Sequence, residues 1–284
     1  MPYLRDPRNV CRQRRHRWHL RLGLVIPGLV LLVVVGAGLR FDVMSSRPMQ
    51  RAAFADPLAH LPRVMLWAWE RREDLSFVDQ RRVGVAYLAR SVQLRDDDVL
   101  VRPRMQPLRV PDGTTLVAVV HVESDRERPP RRSESQQRTL VDAIAAATTD
   151  RVVQVQVDFD ATLSERSFYR DVLIALRERL PPSIGLSITA LASWCVHDLW
   201  LSGLPIDEAV PMLFRMGVDD RRIRAYLDSG RDFRSGVCRK AIGLATDEPF
   251  PARSWAGRRI YVFHPRSWSS ESVGATLGRL RAEP

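Results

Sequence analysis

Between residues 152 and 162 the apolar and polar positions alternate strictly. Val153, Val155, Val157 and Phe159 fall on one side, and Gln154, Gln156, Asp158 and Asp160 on the other. Side chains on a strand alternate with a period of two, so this stretch predicts a strand whose polar row ends in two neighbouring carboxylates. A helix is expected to follow over about 165–180, with Thr162 or Ser164 as its cap. A strand buried in an α/β domain is ordinarily apolar on both sides. Glutamines and aspartates on the second side fit a barrel wall whose interior turns polar near a binding site. A half-exposed antiparallel strand, or carboxylates held by arginines, is the plainer alternative.

The same kind of pattern recurs from Leu61 to the end. Strand-like runs fall at 64–69, 83–89, 116–123, 152–160, 186–192, 209–216, 241–246 and 260–264. Helical or turn-like segments at 73–80, 133–148, 165–180, 197–203, 219–227 and 270–282 separate them. Short apolar strands alternating with helices argue for a parallel sheet. Eight of them, ending on a helix, predict an α/β fold of the (β/α)8 TIM-barrel type near its lower size limit. The barrel is expected to be imperfect. Residues 92–110 read as a polar β-hairpin in place of the helix after strand two, and 249–257 carries two prolines without helical period. An open doubly wound sheet is the runner-up, but no glycine-rich phosphate loop follows its first strand.

Ahead of this domain the pattern changes. Leu22–Leu39 is an unbroken run of 18 uncharged, mostly apolar residues, enough for a helix to span a hydrocarbon core. Residues 1–21 hold seven arginines against Asp6. By the positive-inside tendency this tail stays cytoplasmic and the rest is exported, so the run reads as a signal-anchor in the cytoplasmic membrane. A cleaved signal peptide is the alternative, disfavoured by the length of the apolar run. Residues 40–60 read as a linker and 61–284 as the barrel domain.

The chain has 284 residues, 45% hydrophobic and 27% charged, with a net charge of +11. More than half of that excess lies in the tail, and Lys240 is the only lysine. The remainder is thinly spread, without the basic–aromatic interleaving of a nucleic-acid groove, so nucleic acid is not expected as a partner.

In such barrels the chemistry sits at the C-terminal strand ends. Collected there are Trp67, Trp69 and Glu70; His121, Glu123 and Asp125; Asp158 and Asp160; Ser193, Trp194 and Cys195; Arg215; Thr246, Asp247 and Glu248; and His264, Arg266 and Trp268. Acids on several strands beside tryptophans suit a carbohydrate cleft, where indoles stack on sugars and carboxylates bind hydroxyls or transfer protons.

The stretches 66–70 (LWAWE), 157–162 (VDFDAT), 188–195 (ITALASWC), 211–217 (PMLFRMG) and 261–266 (YVFHPR) resemble an uncharacterised bacterial family, domain of unknown function 3142. That resemblance spans about 61–268 and implies a barrel-like, exported protein without an established activity. A weaker analogy is to chitinase-type barrels, whose fourth strand carries Asp-x-Asp-x-Glu. Here Gln156 stands in place of the first acid and Asp160 in place of the last.

The expected function is therefore a membrane-anchored, glycoside hydrolase-like barrel acting on cell-envelope or extracellular polysaccharide. Asp160 is expected as general acid, its pKa raised by Asp158, and Glu248 or Glu123 as the second carboxylate. Arg215 and Asp247, Gln156 and His264 would bind substrate, and Trp67, Trp69, Trp194 and Trp268 would form a stacking platform. The alternative is a non-catalytic barrel binding glycan or protein, which the inward glutamines favour. A third reading is a divalent-metal hydrolase using Asp158, Asp160 and His264. Otherwise no cofactor is expected, and no Cys/His spacing suggests zinc. Cys195 follows strand five and Cys238 precedes strand seven, opposite ends of an ideal barrel, so a bridge is expected only if the 230–236 loop folds back.

Overall fold

The computed structural model describes residues 58–282, apart from 199 and 251–254. The basic tail, the expected membrane span at 22–39 and all of the linker up to residue 57 lie outside the described residues. Among the described residues no helix is long and apolar enough to cross a membrane.

Eight parallel strands close into a barrel: β1 (Val64–Ala68), β2 (Val83–Arg95), β3 (Leu116–Ser124), β4 (Val152–Phe159), β5 (Gly185–Leu191), β6 (Glu208–Met212), β7 (Ala241–Ala245) and β8 (Arg259–Phe263). Closure comes from β1, which pairs in parallel with both β2 and β8. Around them run α1 (Glu134–Ala145), α2 (Arg166–Arg179), the five-residue α3 (Ala192–Val196), α4 (Asp220–Asp228) and α5 (Ser270–Ala282). This is the (β/α)8 architecture, and the expected hairpin replaces the outer helix after β2. There β2 runs on to Arg95, turns at Asp96–Asp97 and pairs antiparallel with Asp98–Pro103. The Gln136 amide on α1 donates to the carbonyls of Asp96 and Asp98 at 3.2 and 2.9 Å, tying the turn to the helix layer.

The two rows of β4 separate as their alternation predicts. Val155, Val157 and Phe159 are buried in the large core between strands and helices, and Phe159 meets Tyr169 of α2 edge-on at 5.1 Å. Gln154 and Gln156 are fully buried inside the barrel. The Trp67 indole donates to the Gln156 carbonyl (2.8 Å), and the Gln156 amide donates to Ser187 Oγ (3.3 Å). At the lower end Glu208 accepts from Tyr261 (2.8 Å), Gln154 (3.2 Å) and Arg259 (2.5 Å). Burying these polar groups is tolerable because each is hydrogen-bonded. The barrel interior is thus a packed, partly polar core.

Besides β2, which runs to Arg95 rather than 89, three further boundaries differ from the sequence reading. Leu58, assigned to the linker, is already buried against the lower barrel, and Arg259 donates to its carbonyl at 2.8 Å. Strand five ends at Leu191, so Trp194 and Cys195 sit on α3, while 197 and 200–203 form turns. Strand six ends at Met212, not 216, because Arg215 takes a left-handed backbone (φ 52°) that no strand can hold.

The cysteine expectation also needs correcting. Cys195 and Cys238 form a disulfide, with Cα atoms 5.9 Å apart. The intervening loop does fold back, and the Arg234 N–H donates to the Cys195 carbonyl at 2.8 Å.

Candidate functional site

The upper ends of β3, β4 and β5 bring three polar side chains into one network. His121 Nδ1 lies 2.7 Å from Asp158 Oδ2, and the Thr189 hydroxyl donates to Asp158 Oδ1 at 2.6 Å. His121 Nε2 is 3.2 Å from Glu123 Oε1. Register explains the meeting: His121 and Asp158 are direct partners across the β3–β4 ladder. Burial pulls the His121 pKa down, but the hydrogen bond and charge of Asp158, then Glu123, outweigh it and raise the pKa to about 9. At neutral pH His121 is therefore an imidazolium donating from both nitrogens.

Above this network the mouth is aromatic. Trp69, half-buried at the end of β1, meets His121 edge-on at 5.8 Å and Phe263 at 6.5 Å. Phe263 stacks on Phe214 at 6.0 Å with planes 9° apart. The Arg215 guanidinium lies over both rings, 4.8 Å from Phe263 and 5.9 Å from Phe214. Two clefts open beside this shelf. One, of ≈ 230 Å³, is lined by Asp160, Leu191, Ser193, Phe214, Arg215 and Met216 among others. The other, of ≈ 480 Å³, includes Arg215, Asp220, Arg224 and Glu248.

The expected site residues divide sharply between these surroundings. Asp160 lies just past the last residue of β4, exposed in the smaller cleft. Asp158 does not serve as its carboxylate neighbour alone, because both Asp158 oxygens are engaged by His121 and Thr189. Glu123 is exposed on the rim beside His121. Glu248 belongs to the larger cleft, where it accepts the Arg215 N–H (2.9 Å) and faces Arg224 at 3.6 Å. Asp247 pairs with the Arg215 guanidinium at 3.2 Å.

The tryptophan platform is corrected most. Trp67 is inside the barrel, held by Gln156, so neither presents itself to a ligand. Trp268 is buried with its indole donating to the Trp67 carbonyl at 2.9 Å. Trp194 is buried on α3, edge-on to Trp200 at 4.9 Å, with Arg166 5.7 Å from its ring. Only Trp69 of the four reaches the mouth, and Phe214 and Phe263 supply the rest of the aromatic surface. His264 shares its Nδ1 with the Thr246 hydroxyl at 2.6 Å and stacks on Trp268 at 4.8 Å. Burial, then Arg266 and Arg71, lower its pKa. Among the described residues no three His, Cys, Asp or Glu side chains gather in metal-binding geometry, so Asp158, Asp160 and His264 are not brought together as the metal reading required.

Phe214 and Phe263 were missed by the sequence reading, although β8 signals Phe263 by its alternation with Tyr261. Thr189 gave no signal; only the ladder to β4 reveals it.

No family model matches the chain, and no curated protein does. The motif resemblance to domain of unknown function 3142 is thus not supported by these comparisons. Among solved structures, one provisionally described as chitinase A from Streptomyces coelicolor aligns with 76% of this chain and 94% of its own, at 10% identity and a TM-score of 0.48.

Proposed function

We propose that the C-terminal mouth of the barrel is a glycan-binding cleft. The protein would be exported and held at the cytoplasmic membrane by residues 22–39, and its ligand would be an envelope or extracellular polysaccharide. The observation that carries this reading is the aromatic shelf of Trp69, Phe214 and Phe263 at the strand ends, flanked by Asp160, Arg215 and His121. Sugar rings stack on such surfaces while charged and amide groups take their hydroxyls.

Hydrolysis is the second reading, favoured by the exposure of Asp160 in the ≈ 230 Å³ cleft beside Ser193 and Arg215. Asp160 would protonate the leaving oxygen as general acid. Binding is preferred because the carboxylates expected to act with Asp160 face protein cations or donors: Asp158 on His121 and Thr189, Glu123 on His121, and Glu248 on Arg215 and Arg224.

A glycan array on the full chain, followed by an assay for new reducing ends on whatever binds, separates the two. Trp69→Ala is expected to weaken binding at least tenfold, a loss of about 1.4 kcal/mol. Asp160→Asn should leave binding within about twofold of wild type, since it keeps shape and removes only a proton donor. New reducing ends that vanish in Asp160→Asn would move the protein to the hydrolases. Absence of any glycan ligand would sink both readings.

A further inference from the structure

Arg215 is built into the mouth in an unusual way. Its backbone is left-handed at φ 52°, a conformation that costs a non-glycine residue free energy and persists only where its surroundings enforce it. The enforcing contact is Glu248, which accepts the Arg215 N–H at 2.9 Å and is itself faced by Arg224 at 3.6 Å. This turn lays the guanidinium along Phe263 and Phe214, at the junction of the two clefts. A guanidinium is a planar fork of five donors. Among the described residues the Arg215 fork makes one ion pair, to Asp247 at 3.2 Å, and its side chain is still 53% exposed.

The surrounding charges decide which ligand suits it. In the larger cleft the carboxylates already face cations: Asp220 accepts from Arg224 at 2.8 Å, and Glu248 is held as above. In the smaller cleft Asp160 and Asp219 are lining residues too, and Arg215 is the one cation among the described residues that line it, so an anionic ligand would place its charge at Arg215. A guanidinium can donate to neutral hydroxyls, but a carboxylate gains more from it, through two parallel charge-assisted hydrogen bonds. A planar carboxylate fits the fork, while a C–H face of the pyranose chair that carries it can lie on the aromatic shelf.

We propose that Arg215 is a carboxylate fork, and that the cleft selects a polysaccharide whose sugar rings carry carboxylates, a uronic-acid polymer. The inference rests on the glycan reading above and names its ligand class.

The test compares polygalacturonate with the same polymer after reduction of its carboxyl groups, both titrated against the full chain at one ionic strength. Wild type is expected to bind the acidic polymer about tenfold tighter, the range of one charge-assisted bidentate contact. Arg215→Asn, which tolerates the left-handed backbone, should lower affinity for the acidic polymer about tenfold more than for the neutral one and so erase that preference. Arg215→Lys keeps the charge but loses the fork, and should restore only part of it. Equal affinity of wild type for the two polymers, or an unaltered preference in Arg215→Asn, overturns the proposal. So does dextran sulfate binding as tightly as polygalacturonate, since charge alone would then be read. If neutral glycans bind and the acidic polymer has no advantage, only the carboxylate assignment falls. If no glycan of any kind binds, the glycan reading falls with it.

Discussion

His121 sits as a cation between two carboxylates, and its titration should be visible in the stability of the fold. Its folded-state pKa of about 9 lies above the ordinary 6.5. The pairing therefore stabilises the barrel fully below pH 6.5, and that contribution is lost as pH rises through about 9. Urea melts of the wild type at pH 6, 8 and 10 should show falling stability, and His121→Gln should flatten the slope. A wild-type curve flat over this window would mean that Asp158 and Glu123 do not hold the imidazolium. Glu208 makes a different kind of pair. It is fully buried and is the partner of Arg259, so Glu208→Ala is expected to cost about 3–5 kcal/mol by stranding that cation. Glu208→Met with Arg259→Met should recover only part of the loss: it removes the stranded charge but takes the Glu208 acceptor from the buried Gln154 amide and Tyr261 hydroxyl. At this scale the sequence was only half legible. The alternation that placed Trp67 and Trp69 on one face could not show that Trp67 lies deep on Gln156 while Trp69 reaches the rim. Depth along a strand is a property of the closed barrel. So too the Asp158–His121 pair needs the register of β3 on β4.

Strands and helices were more legible because each carries its period within itself. Alternation on β4 separated Val155, Val157 and Phe159 from Gln154, Gln156 and Asp158, and these rows face the helices and the barrel interior respectively. The cap was read less well: Thr162 or Ser164 was expected to cap the helix, but Thr162 starts a separate 3₁₀ turn over Leu163–Glu165, its N–H and hydroxyl donating to Glu165 Oε2 at 2.8 and 2.6 Å, and α2 begins after Glu165. What failed were ends fixed from outside the segment, such as β6 stopping at Met212 where the Arg215 turn begins. Two glycines test how tightly the elements are fitted together. A Cβ on Gly243 of β7 would come within 2.8 Å of the Trp67 ring, which Gln156 holds in place. Gly243→Ala should therefore cost about 1–3 kcal/mol by overpacking. On Gly84 of β2 the corresponding clash, at 2.5 Å, is with the end of the flexible Met65 side chain. Gly84→Ala should cost less, since methionine re-packs readily. Thermal melts that rank the two the other way round would show that the Trp67–Gln156 hydrogen bond does not fix the indole.

Over the whole molecule, ladders between neighbouring strands close the barrel, while the disulfide ties α3 to the segment just before β7, 43 residues apart in sequence. An ideal barrel argued against that bridge, because β5 delivers Cys195 at the top whereas Cys238 waits to enter β7 from below. The return of the 230–236 loop, anchored by the Arg234 N–H on the Cys195 carbonyl, brings the two together. A cross-link closing a loop of this length removes unfolded-state freedom worth about 4 kcal/mol in the chain-entropy model. Both sulfurs are buried in the core, so Cys195→Ala with Cys238→Ala should lose about 3–4 kcal/mol without opening a large cavity. The bridge also bears on where the domain folds, because buried structural disulfides persist in oxidising compartments and not in a reducing cytosol. Denatured wild-type protein from cells with residues 1–39 intact should resist thiol alkylation at Cys195 and Cys238 until a reductant is added. If residues 1–39 direct export as proposed, the same domain expressed without them stays in the cytosol, and should alkylate at both positions and melt like the double alanine variant. Alkylation of both thiols in the intact chain would mean that the bridge does not form where the protein resides, and would count against export.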